Sequence, residues 1–113
     1  MQILSIAIDQ SRVIETYGSR AAAVLNLAHF SGPTSLVLIQ LQANGLLGPH
    51  PAAQDQLFII TAGQGEVSAA GSDFQSVATG QAVLWRRGET HATRTAEGLT
   101  ALVLEAAEIS LDG

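Results

Sequence analysis

The chain contains no cysteine and no lysine, and charged residues fill only 13% of its 113 positions. Without cysteine there is no disulfide, no thiolate nucleophile and no thiolate metal ligand, so any metal must be held by histidine, carboxylate or amide oxygen. Five arginines against ten acidic residues leave a net charge of −5. Nucleic acid is therefore not an expected partner, because a surface that tracks phosphates needs clustered positive charge. No apolar run approaches the roughly 20 residues that cross a bilayer, and the first residues lack the charged start and cleavage pattern of a signal peptide. The expectation is no membrane partner and a cytoplasmic location. Aromatic residues make up 4% and include a single tryptophan, Trp85. What is plentiful is aliphatic surface: 47% of the chain is hydrophobic, enough for one core, and residues 1–113 read as a single domain.

Helical periodicity is nearly absent. Short β-rich runs are broken by glycine and polar clusters about every ten residues, the pattern of an all-β sandwich or barrel. Strands are expected near Ala23–Phe30, Ser35–Gln42, Gln56–Ala62, Glu66–Ala69, Phe74–Val77, Ala82–Arg86, His91–Thr95 and Leu99–Ala106. Ser31-Gly32-Pro33, Asn44-Gly45, Ala62-Gly63-Gln64-Gly65 and Ala70-Gly71-Ser72-Asp73 supply positive or fixed φ and read as turns between antiparallel strands. In residues 1–20 Ile3, Leu4, Ile6 and Ile8 alternate only loosely, so this stretch is expected to be an edge or interface segment.

Two separated turns each deliver a histidine to the start of a strand. His50 follows Asn44-Gly45-Leu46-Leu47-Gly48-Pro49, and His91 follows Arg86-Arg87-Gly88-Glu89-Thr90. At these residues the chain resembles the cupin family. The family's first motif contains a glycine, His-x-His, a glutamate and a second glycine; here Gly45, His50, Ala52, Gln56 and Gly63 run in that order. The second motif contains a glycine, Pro-x-Gly, a histidine and an asparagine; here the positions hold Gly80, Arg86, Gly88, His91 and Thr95. The resemblance extends from Leu36 to Glu105 and implies a double-stranded β-helix, the jelly-roll or cupin barrel, with a pocket at one mouth.

In metal-binding cupins three histidines and a glutamate hold the ion. Carried over residue by residue, the resemblance leaves His50, His91 and Gln56 as metal ligands and nothing from Ala52. Two neutral imidazoles and an amide oxygen offer no charge compensation, whereas mononuclear non-haem iron sites use two histidines and a carboxylate. The set implies at most a low-occupancy divalent ion, with zinc, nickel, manganese and iron unranked; the bland alternative is a metal-free pocket whose histidines bond Gln56, Thr93 or water. Glu89 is the nearest carboxylate able to help His91, while Asp55 points away from Gln56 by alternation.

Alternation also sends Phe58 and Ile60 inward with Gln56, and Thr93 and Thr95 inward with His91, giving apolar walls with convergent polar groups, as small organic ligands require. Plain core packing is the competing reading for Phe58 and Ile60. Trp85 either closes the pocket floor or covers an interface. Arg86, Arg87 and Arg94 either form a positive rim for an anionic ligand or are solvated turn residues balanced by Glu89 and Glu97. His29 reads as structural, and Glu15, Glu105, Glu108 and Asp112 as surface charge. Four functions stay open: a small-molecule-binding module with a degenerate metal site, for an anionic or oxygen-rich ligand; an isomerase or epimerase in which His91, tuned by Glu89 or Gln56, is the acid–base residue; a metal-dependent dioxygenase; and a storage role, which suits longer chains. The apolar N-terminal segment and the Leu99–Leu104 run predict a homodimer.

Overall fold

The computed structural model describes residues 1–70 and 72–112. Among these residues ten strands follow in chain order: β1 (Gln2–Ser5), β2 (Arg12–Ile14), β3 (Ala22–Val24), β4 (Ala28–Leu41), β5 (Leu46–Pro51), β6 (Asp55–Ala69), β7 (Gln75–Ala78), β8 (Gln81–Trp85), β9 (Thr90–Arg94) and β10 (Leu99–Leu111). Single 3₁₀ turns at Ile8–Gln10 and Thr16–Gly18 punctuate the N-terminal part. Eight strands form one antiparallel sheet in which β1-β8-β6-β10-β4 are successive neighbours, while β9 joins β5 to β6 and β7 also borders β6. β2 and β3 form a separate hairpin. The all-β double-stranded β-helix implied by the sequence is the observed architecture.

The strand that joins the two halves is β6. Its first part lies between β8 and β10, and from Gln64 onward it pairs with β7 and β9 instead. The segment Ala62-Gly63-Gln64-Gly65, which reads as a turn in the sequence, is thus a bend inside one continuous strand. Gly63 makes the bend with φ +82°, and a Cβ there would fall 2.2 Å from the Gly98 carbonyl oxygen, so only glycine fits. Ser31-Gly32-Pro33 is likewise no turn. It lies inside β4 as a bulge: the partners step from Ala106↔Thr34 to Glu108↔Ser31, and Gly32 takes φ +80°. Asn44, with φ 63°, does form the expected turn, and Gly45 N–H donates to the Gln42 carbonyl. Beyond it, Leu46–Pro51 is strand β5 rather than loop. The Ala70–Asp73 turn is closed by Ser72, whose hydroxyl donates to the Ala69 carbonyl; Gly71 lies outside the described residues. The expected strand Ala23–Phe30 is interrupted, its start belonging to the β2–β3 hairpin and its end to β4.

Two apolar clusters hold the sheet from both sides. Phe58, Ile60, Val83, Trp85, Ala101 and Val103 belong to the barrel interior, whereas Leu57, Ala82, Leu84, Ala106 and Ile109 pack on the other face. The unbroken run Leu57-Phe58-Ile59-Ile60 follows from this, because a strand buried on both faces needs apolar residues at every position. Past the bulge, the ends of β4 and β10 contribute Ala28, Phe30 and Leu111 to the outer cluster.

Candidate functional site

The two histidines meet because β5 and β9 are adjacent antiparallel strands with His50 directly opposite His91. Directly opposed residues share a face, and the rings lie with centroids 4.4 Å apart at 55°. His91 is buried, and His50 is exposed at the cavity mouth. The Trp85 indole stacks on His91 at 4.4 Å and 27°, and Phe58 meets Trp85 edge-on at 5.6 Å. Four rings thus run in series from the core to the mouth, each restricting the next.

Each imidazole is fixed through Nδ1. His50 Nδ1 lies 2.8 Å from the Gly48 carbonyl oxygen, reached across the register shift that Gly48-Pro49 creates in β5, and His91 Nδ1 lies 3.1 Å from the Glu89 carbonyl oxygen. A carbonyl only accepts, so both Nδ1 atoms carry the hydrogen and both Nε2 atoms present a lone pair when the rings are neutral. Burial holds the His91 pKa below its ordinary value and the neighbouring His50 adds to this, outweighing the Glu89 carbonyl bond and the Glu89 and Glu105 carboxylates that favour the cation.

A third polar group completes the cavity. Gln56 lies opposite Glu105 of β10, and its amide donates to the Glu105 carboxylate at 2.8 Å. The cavity has a volume of about 120 Å³, with His50, Gln56, His91, Thr93, Trp85 and Glu105 on its wall together with Phe58 and aliphatic side chains of β4, β5 and β10. A larger groove of about 400 Å³ runs between the N-terminal segment and the outer sheet face, but Asp112 is its only ionisable lining residue, so the chemistry belongs to the smaller cavity.

Of the residues proposed from sequence, His50, Gln56, Phe58, Trp85, His91 and Thr93 share this cavity, and three others do not. Ile60 is inner-core packing. Thr95 caps a turn, donating to the Gln64 carbonyl at 2.7 Å and accepting from Gly98 N–H at 2.9 Å. The Glu89 carboxylate accepts from the Met1 amino group and, at 3.0 Å, from Arg86 N–H, so the hydrogen bond to His91 comes from the Glu89 backbone and the carboxylate acts on the ring only through its charge. Burial raises the Glu89 carboxyl pKa, but these two bonds outweigh it and hold the group below its ordinary range. Arg86 and Arg94 are also committed elsewhere. Arg86 donates to Asp55 at 2.9 Å and to the Ile109 carbonyl, and Arg94 pairs with Glu66 at 3.0 Å over the Phe74 ring. None lines the cavity, which removes the positive rim. Asp55, buried and pointing away from Gln56 as alternation requires, also accepts from the backbone of Arg87 and Ile109 and so pins the β8–β9 turn beside His91.

Glu105, read from sequence as surface charge, is the residue that sequence reasoning missed. Its signal is the inward row Leu99, Ala101, Val103, which at period two continues to position 105. Even with this carboxylate the donors do not fit a metal. Ala52, at the family's second histidine position, is buried without a donor side chain, and Gln56, which donates its N–H to Glu105, offers only an uncharged amide oxygen. Among the described residues no three His, Asp or Glu side chains gather closely enough to enclose an ion.

No family model matches the chain, and no curated protein matches it in sequence. Solved structures do match in shape. A cupin superfamily protein from Desulfitobacterium hafniense aligns over 73% of this chain and 77% of its own at 12% identity, TM-score 0.63. A double-stranded β-helix domain protein from Klebsiella pneumoniae aligns over 84% and 88% at 13% identity, TM-score 0.61. A DMSP lyase from Ruegeria pomeroyi aligns over 96% of this chain but 59% of its own at 20% identity, TM-score 0.62. The chain has the cupin fold.

Proposed function

We propose that the protein is a small-molecule-binding cupin-domain protein whose ligand sits between His50 and His91 without a resident metal. One observation carries this reading: two cross-strand imidazoles that line one small cavity are anchored at Nδ1, which leaves each Nε2 without a hydrogen-bond partner in the protein. Anchoring a ring before the ligand arrives lowers the cost of binding, as preorganised sites do. The ligand is small, because about 120 Å³ is well below the roughly 300–1,000 Å³ of pockets that take drug-sized molecules.

The test is a titration of water-soluble organic compounds followed through the ring nitrogens of His50 and His91 by NMR. At least one compound class is expected to shift both Nε2 resonances, and His91→Ala is expected to weaken its binding with the fold intact. Zinc, nickel, manganese or iron at full stoichiometry in protein purified without chelator would overturn the metal-free reading and revive the dioxygenase alternative.

A second reading has its own support. His91 is held neutral by burial with a free Nε2, the state a general base needs near neutral pH, so a metal-independent isomerase or epimerase is the alternative. Turnover that His91→Ala abolishes and His50→Ala only reduces would favour it. We also infer a homodimer, supported by the exposed apolar side chains of β4.

A further inference from the structure

The chemical class of the ligand follows from which hydrogen bonds the cavity wall gives and which it takes. His50 Nε2 and His91 Nε2 are acceptors, because both Nδ1 hydrogens are spent on backbone carbonyls. Glu105 adds a carboxylate, of which Gln56 satisfies one oxygen. No arginine lines the cavity to offset that charge, Arg86 and Arg94 being bound to Asp55 and Glu66. The indole N–H of Trp85 is buried without an acceptor and inaccessible, so it does not supply a donor. The wall thus presents as acceptors His50 Nε2, His91 Nε2, the second Glu105 oxygen and the Gln56 amide oxygen, with one negative charge, against two donors, the Thr93 hydroxyl and the second N–H of Gln56.

A carboxylate or phosphate would meet lone pairs and a like charge there. A divalent metal needs its donors at about 2.0–2.2 Å, which demands a tighter gathering than this one. A primary ammonium is the complement. It carries three N–H donors and one positive charge, and it takes its acceptors at about 2.7–3.2 Å, so it fills a more open set of the same groups. The aliphatic side chains of Val37, Ile39, Leu47 and Val103 suit a short alkyl stem, and the volume of about 120 Å³ limits its length.

We propose that the cavity binds a small primary alkylammonium ion, its N–H bonds directed to His50 Nε2, His91 Nε2 and the Glu105 carboxylate. This rests on the proposed ligand-binding role of the cavity. The experiment compares n-propylammonium chloride, 1-propanol and sodium propionate by calorimetry at matched ionic strength and about pH 8, above the lowered pKa of His91. Propylammonium is expected to bind at least about tenfold more tightly than either control, since a hydrogen bond to a charged group is worth more than a neutral one. Glu105→Gln, which retains an oxygen for the Gln56 amide, is expected to reduce that affinity by about tenfold or more. Equal binding of propanol or propionate, or an unchanged affinity in a folded Glu105→Gln protein, overturns the ammonium class while leaving the cavity a ligand site. If no probe binds and the His50 and His91 rings are unperturbed, both readings fall. The three-probe comparison on the unaltered protein decides the matter even if the variant does not fold.

Discussion

Burial governs His91. Its side chain is hidden against Trp85 and its pKa lies below the ordinary 6.5, so the unfolded chain takes up a proton more readily than the folded one. Stability then falls as pH drops below about 6.5, by the difference in protons bound. The carboxylates Asp55 and Glu89 act in a lower window: their depressed pKa values add stability above their ordinary 3.8 and 4.5, and this is lost on further acidification. Thermal melts between about pH 5 and 8 check the separation, and His91→Gln is expected to flatten that stretch while leaving the acid limb in place. A slope unchanged in the variant would assign the effect to another group. The histidines themselves were legible, since two motif-like turns delivered them. The role of Glu89 was not, because whether a carboxylate meets a backbone N–H depends on turn geometry, which residue type does not encode; that of Glu105 was carried only by the phase of its strand, and residue type alone reads as surface charge.

At the level of elements, β6 is the member on which the fold depends, and Gly63 is its weak point. Gly63→Ala places a methyl group against the Gly98 carbonyl in a left-handed conformation, and both faults act together. We expect a loss of about 1–3 kcal/mol or more, read as a shift of the urea midpoint with an unchanged slope. Gly80→Ala, where the added carbon meets nothing within 4 Å, separates the conformational cost from the clash and is expected to lose less. The strands of the central run were readable from alternation and glycine spacing. Gly63 and Gly32 read as turns in the sequence because positive φ serves a bend within a strand as well as a reversal between strands. β5 was missed because Gly48-Pro49 lowers its strand character, although its ladder with β9 brings His50 to His91.

At the scale of the molecule, β4 is an edge of the sheet. Its outward side chains Leu36 and Leu38 are 63% and 65% exposed, opposite Leu104 and Leu102 of β10. Edges normally carry charge that discourages pairing, and Thr34–Leu41 carries none. Sedimentation at micromolar concentration is expected to give the mass of two chains, and Leu38→Arg to shift it to one; a monomer before substitution would refute the dimer. No helix among the described residues is long and apolar enough to cross a membrane. The overall architecture was the most legible level, since repeated short strands and two motif frames overdetermine it, while the separate β2–β3 hairpin was not, its sequence being too short and irregular to show a period. The stacking of Trp85 on His91 reaches beyond packing. Trp85 is the sole indole, so the ultraviolet emission of the entire protein comes almost wholly from one cavity wall. An imidazolium quenches an adjacent excited indole more than a neutral ring does, so fluorescence brightness is a built-in gauge of the proton on His91 and of whatever displaces it.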